Sequence, residues 1–133
     1  MTGLVLDASA FVFAFTETSA AARSLRTRIA EARCHAPHLV DAEVGSVARS
    51  KLLRRELDSA QAFSLLNGVA RIIQRRYRHG PLARLGWSLR DDVSFYDAMY
   101  VALAASLGMP LLTADARLSR VEGLPCEVEL VGQ

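Results

Sequence analysis

Apolar positions along the chain fall into two kinds of pattern. Two short runs are continuously apolar and end in an acid: TGLVLD at 2–7 and MPLLTAD at 109–115. Unbroken runs of that length predict strands buried on both faces. Elsewhere the apolar positions recur at helical spacing. SAFVFAF (9–15) reads as a short helix and TSAAARSLRTRIAEAR (18–33) as a longer one capped by Thr18 or Ser19. CHAPH (34–38) is a short strand closed by Pro37, and LVDAEVGSVARSKLLRRE (39–56) a helix with Val40, Val44 and Val47 facing inward. DSAQAFSLLNGVARII (58–73) opens on Asp58 with Gln61 three residues later, the pattern of a capping box. GPLARLGWSLRDD (80–92) predicts a helix started by Pro81. SFYDAMYVALAASLG (94–108) predicts a helix with Tyr96, Tyr100, Val101, Leu103, Ala104 and Leu107 on its apolar stripe, ended by Gly108 and Pro110. ARLSRV (116–121) is a short helical turn, and CEVELV (126–131) a last strand that alternates like an edge.

Long helices between short apolar strands predict an α/β fold, with a small parallel sheet covered by helices on both faces and residues 1–133 forming one domain. In such sheets the ligand crevice lies beyond the carboxyl ends of the strands. Asp7 and Asp115 both fall there, so the fold alone brings two acids to one rim.

Composition changes this picture only at a few points. Of 133 residues, 51% are hydrophobic and 23% charged, enough apolar matter for a core and too much for a disordered chain. The net charge of +2 says little about partners. The cations are fifteen arginines and Lys51 alone, and arginine is the better planar fork for phosphate or carboxylate. The apolar N-terminus does not read as a signal peptide, because it has no positive segment and Asp7 interrupts it. No stretch approaches the ~20 apolar residues of a membrane span. Cys34 and Cys126 are isolated thiols, as expected of reduced residues in a cytosolic protein. His35, His38 and His79 make no zinc-ligand pattern.

Four acids stand out, each with a plain structural alternative. Asp7 and Asp115 could cap the helices that start after them. Ser94 and Asp97 stand three apart and could form a reciprocal cap. Glu43 lies beside Val40, Val44 and Val47 on an inward face, where its alternative is a buried ion pair with arginine. Asp97 shares the stripe of Val101 and Ala104, and a carboxylate on such a face is costly unless something positive or strongly hydrogen-bonding meets it. Together the four can converge on one rim. Clustered carboxylates raise one another's pKa, and a hard divalent cation such as Mg²⁺ reverses that balance. Thr113 could orient a carboxylate or a water. Asp91 and Asp92, at a helix end, read as solvated; Asp41 as exposed or capping; Glu122, Glu127 and Glu129 as surface.

These residues resemble the PIN-domain family, and within it the VapC-like toxins of bacterial toxin–antitoxin pairs. LVLDASAFV carries the first acid, Asp7, and PHLVDAEVGSVAR the second, Glu43. SFYDAMYVALAASLGMPLLTAD, the most specific block, carries Asp97, Thr113 and Asp115. Residues 54–93 match only in general helical character. The resemblance implies a PIN-like three-layer sandwich and a Mg²⁺- or Mn²⁺-dependent endoribonuclease. It implies a homodimer held inactive by a VapB-like antitoxin, and structured RNA substrates, often tRNA or rRNA. Asp7, Glu43, Asp97 and Asp115 would then hold one or two Mg²⁺ ions, with Ser9 and Thr113 behind them. Cleavage would leave a 3′-hydroxyl and a 5′-phosphate.

The segment RIIQRRYRHG (71–80) sets Arg71, Arg75, Arg76 and Arg78 around Tyr77, suited to phosphate and base stacking or to an acidic antitoxin segment. Its alternative is a solvated basic helix end. A non-catalytic PIN-like module that binds RNA or protein is the main rival function, and the intact set of acids argues against it. A phosphatase would need Asp-x-Asp where the chain has Asp7-Ala8-Ser9, and no GxxxxGK[ST] loop is present.

Overall fold

The computed structural model describes residues 2–132. Five strands form one sheet in the order β3-β2-β1-β4-β5, and every pairing is parallel. They are β1 (Gly3–Leu6), β2 (Arg33–Pro37), β3 (Arg75–Tyr77), β4 (Leu111–Thr113) and β5 (Val128–Leu130). The two apolar runs are the central pair, β1 and β4, in register Val5 with Leu111 and Leu6 with Leu112. These four side chains are fully buried, as strands with helices on both faces must be.

The helices are α1 (Ala8–Thr16), α2 (Ala20–Ala30), α3 (Leu39–Leu53), α4 (Ser59–Ile72), α5 (Ala83–Ser88), α6 (Phe95–Leu107) and α7 (Ala116–Ser119). From β1 the chain steps outward to β2 and β3, with α1–α4 in the crossovers; it then returns past β1 to β4 and β5 through α5, α6 and α7. Parallel crossovers are right-handed, so the two directions of travel put their helices on opposite faces. The order reverses between β1 and β4, and that switch point opens a crevice at the carboxyl rim.

Local chemistry explains the ends. Ser19 caps α2 by accepting from the Ala22 amide, and Asp58 and Gln61 close the expected capping box on α4. Gly108 ends α6 in the left-handed conformation, at φ 64°, which glycine adopts without steric cost.

Several expectations are corrected. The helix α6 has no narrow stripe: Ala98 to Ala104 are all buried, because α5 covers the side turned away from the sheet. Gly86 makes that contact possible; a Cβ there would stand 2.4 Å from the Met99 methyl. Tyr96 is exposed instead of joining the buried set. The 80–92 helix is only a 3-10 turn, Gly80–Leu82, followed by the short α5. The basic segment is not a helix end, since α4 stops at Ile72 and Arg75–Tyr77 is an edge strand paired with β2. Phe11, Phe15, Phe63 and Trp87 read from the sequence as more helical apolar surface than so small a sheet can cover; Phe11 is instead buried in the core, while the other three are exposed.

Candidate active site

Four helices begin at the carboxyl rim of the sheet, and each brings an acid to its first turn or just beyond. Asp7 is the cap residue of α1, Glu43 is the fifth residue of α3, Asp97 is the third of α6, and Asp115 is the cap residue of α7. All four line one cleft of about 290 Å³, with Ser9 and Tyr100. The positive ends of the helix dipoles favour carboxylates at such positions.

Asp7 is only 6% exposed. Its Oδ1 accepts from the Ala10 amide at 2.8 Å and from the Ser9 hydroxyl at 2.7 Å. The cap reading is therefore correct, and it engages one carboxylate oxygen. Capping and facing the cleft are compatible roles. Burial pushes the Asp7 carboxyl from 3.8 up to about 6, against the hydrogen-bonding influence of Thr113, the Ala10 amide and Ser9.

Ser9 ties the two central strands together at this rim. Its Oγ accepts from the Ala114 amide at 2.9 Å and lies 3.2 Å from the Thr113 hydroxyl. Thr113, fully buried, accepts from the Asp115 amide at 3.0 Å. Asp115 in turn caps α7 by accepting from the Arg117 amide at 2.9 Å. The end of β1 and the end of β4 are thus locked in one polar chain from Asp7 to Asp115.

Among the described residues, Glu43 has no arginine partner. The buried Tyr100 hydroxyl donates to its Oε1 at 2.6 Å, joining α6 to α3 above the rim. Half-burial raises the Glu43 pKa; Tyr100 holds it down, and the charges of Asp7 and Asp97 add to the rise. Burial and the neighbouring Glu43 keep Tyr100 well above the ordinary phenol range, so it remains a donor. Tyr100 escaped the sequence reading because a tyrosine in an apolar stretch looks like core. Its signal was the spacing of three from Asp97, which puts both on one helix face. Ser46, three after Glu43, lines the same cleft and was missed in the same way.

At Asp97 the reciprocal cap is half present. The Ser94 hydroxyl oxygen accepts from the Asp97 amide at 3.1 Å, so serine is the cap and the Asp97 side chain is left to the cleft. Burial raises the Asp97 pKa, Ser94 opposes it, Asp115 adds to it and Arg117 opposes it.

The donor set is entirely carboxylate and hydroxyl oxygen, which suits a hard divalent cation and not zinc or copper. Among the described residues, no three His, Cys, Asp or Glu side chains are grouped closely enough to clasp a metal outright. Magnesium, which keeps several of its own waters, fits such a spread set better than a dedicated cage would.

The basic segment is elsewhere. Arg76 donates to both oxygens of Asp41, at 2.6 and 2.8 Å, and to the Ile73 and Val69 carbonyls. Asp41, with a side chain 43% exposed, is thus an ion-pair partner and not a helix cap, and Arg76 is engaged within the fold: the two pin β3 to α3. Arg75 stacks over Tyr77 at 5.0 Å, and the Tyr77 hydroxyl pairs with His35 Nδ1 at 2.9 Å. Arg78 is exposed just past the strand. His79 Nε2 accepts from the Leu39 amide at 3.0 Å, a cap for α3 that comes from forty residues away. Glu129, read as surface, forms an exposed ion pair with Arg28 at 2.5 Å.

The parallel topology agrees with comparisons to known proteins. The PIN domain family model matches residues 4–124. The chain belongs to the PIN-domain family. It is 47% identical to ribonuclease VapC1 of Mycobacterium tuberculosis over 96% of both chains. It is 38% identical to ribonuclease VapC9 of the same organism, over 96% of this chain and 98% of that one. Its fold matches the crystal structure of VapBC2 from Rickettsia felis bound to a DNA fragment from their promoter, with a TM-score of 0.70 at 13% identity, covering 97% and 98% of the two chains. The PIN fold expected from the sequence is therefore present. Among the described residues, no helix of this PIN domain is long and apolar enough to cross a membrane.

Proposed function

We propose that this PIN domain is a divalent-metal-dependent endoribonuclease that acts as the toxin of a toxin–antitoxin pair. The single observation that carries the proposal is the convergence of Asp7, Glu43, Asp97 and Asp115 on one cleft at the sheet's switch point. Near identity of length with the VapC ribonucleases supports it. An intact set of four acids gives no support to a non-catalytic module.

These four carboxylates would hold Mg²⁺ or Mn²⁺, directly or through water. Bound there, the ion supplies charge neutralisation at the scissile phosphate and a water of lowered pKa. The chain's own residues prepare the place. Tyr100 fixes one Glu43 oxygen, Ser9 and the Ala10 amide fix one Asp7 oxygen, and Thr113 holds the backbone before Asp115. Rigidly oriented oxygens need little reorganisation when charge develops in the transition state.

A VapB-like antitoxin as partner, tRNA or rRNA as substrate, and a cytoplasmic site of action belong to the same reading, with residues 1–133 working as one domain. Exposed Phe63, Trp87, Phe95 and Tyr96 support a homodimer. The deciding experiment is incubation of purified protein with bacterial RNA in Mg²⁺, Mn²⁺ and EDTA, alongside Asp7→Asn. Cleavage by wild type in metal, abolished by EDTA and by Asp7→Asn, is the expected result. Equal cleavage by both proteins at equal purity would refute the assignment.

A further inference from the structure

A second cleft, of about 330 Å³, adjoins the first and shares Asp97 and Asp115 with it. Its other walls are Asp92, Val93, Ser94, Leu118 and Val121, and its cation is Arg117. We propose that this second cleft is a nucleotide subsite in which Arg117 grips the phosphate next to the scissile one. The proposal rests on the ribonuclease reading above and gives that site a binding half that none of the comparisons assigns.

The need comes from charge. RNA is a polyanion, and the two adjoining clefts present Asp7, Glu43, Asp92, Asp97 and Asp115. Any strand crossing them needs a positive contact nearby. Among the described residues, Arg117 is the only cation lining either cleft. Its side chain is 87% exposed, and its Nε stands 3.7 Å from Asp115 Oδ1, beyond hydrogen-bonding distance. Contrast Arg76, 21% exposed and held by four hydrogen bonds. Arg117 is free to turn its planar fork to an incoming phosphate, and arginine makes paired, charge-assisted hydrogen bonds there. The cleft's volume falls within the ~300–1,000 Å³ of small-ligand sites. The partly exposed Val93 and Val121 offer an apolar face to one unstacked base, the form in which RNA loops are recognised.

The rival reading makes Arg117 a mere companion of Asp115. To separate them, a labelled RNA hairpin that wild type cuts is titrated by anisotropy in EDTA across a salt series, and KM and kcat are measured in Mg²⁺. Arg117→Gln, Arg117→Lys and Arg120→Gln are compared; Arg120 is exposed, near in sequence, and lines neither cleft. Loss of a charged hydrogen bond to phosphate predicts about a tenfold rise in Kd and KM for Arg117→Gln. The slope of log K against log salt should fall by about one, with Arg117→Lys in between and Arg120→Gln like wild type. If kcat falls while KM, Kd and slope stay put, Arg117 serves Asp115 and the subsite is wrong. If Arg120→Gln matches Arg117→Gln, the effect is net charge and the subsite is again wrong. If wild type cuts no RNA at all, the ribonuclease reading fails first and takes the subsite with it.

Discussion

The acidic rim and the basic strand each gather like charges, yet the fold treats them oppositely. At β3, Arg76 spends its fork on Asp41 and two carbonyls, and Arg75 lies on Tyr77. At the β1–β4 rim, Asp7 and Glu43 meet hydroxyls and an amide and feel the charge of Asp97, and among the described residues no guanidinium donates to these acids. Folding satisfies the first region and leaves the second electrostatically unfavourable. Charges the fold has already paired serve structure; charges it has gathered and left unpaired are there for something that arrives later.

The largest break in that contrast should come from Asp7→Asn. Asparagine keeps an Oδ1 for Ser9 and the Ala10 amide, and caps as well as aspartate. Cleavage should drop at least a hundredfold, as for loss of a metal-site acid. Stability should move the other way. The folded-state pKa of Asp7 is raised from 3.8 to about 6, so the folded protein holds a proton that the unfolded chain has released between those values. Stability is then greatest below about pH 4 and is lost as pH rises toward 6. At pH 7 in EDTA the charged side chain costs about 3 kcal/mol, and Asp7→Asn should recover much of it. Urea melts at pH 4 and pH 7 check the sign: the variant's advantage should vanish in acid. An Asp7→Asn protein that is less stable at pH 7 would mean the rim is not strained.

Arg76→Ala should do the reverse, costing about 2 kcal/mol of stability by stripping a charged partner from Asp41 and from two carbonyls. Cleavage should hold at a temperature where the protein remains folded. Paired thermal melts and initial rates on one RNA measure both. A large rate loss without a stability loss would place Arg76 in RNA binding after all.

The two regions also differ in how far the sequence revealed them. The buried runs of β1 and β4 are continuous, each ends in an acid, and parallel topology sends both acids to one rim; fold and candidate site were legible together. Asp97 was legible as an anomaly on a buried helix. The β3 strand was not, because three residues reading Arg-Arg-Tyr carry neither apolar continuity nor alternation, and an edge strand needs neither. The Asp41–Arg76 pair and the His79 cap join residues 35 and 40 positions apart. Local pattern carries no trace of such contacts. Tyr100 lay in between: its position was plain, but its hydroxyl's use depends on where α3 packs.

Tyr100→Phe sharpens the comparison inside the acidic region. The ring and its packing stay, and only the donor to Glu43 is lost. Burial, Asp7 and Asp97 then push Glu43 upward without the opposing hydrogen bond. The acid limb of the rate–pH profile should move to higher pH, and the rate at neutral pH should fall roughly tenfold, the scale of one lost charged hydrogen bond. An unmoved profile with a uniformly lower rate would show that Tyr100 acts through packing alone.

The smallest effect tests whether the basic strand helps to position the acidic rim. His38 offers α3 no side-chain cap, and His79 supplies the acceptor for the Leu39 amide instead. Leu39 stands four residues, about one helical turn, before Glu43, so this cap steadies the turn that carries the acid. Loss of a helix cap costs ~1 kcal/mol, and His79→Ala should lose about that much by urea melt. The rate should fall no more than about threefold, because Tyr100 still holds Glu43 from the other side. A His79→Ala protein whose urea midpoint does not move would show that this distant acceptor adds nothing to the first turn of α3.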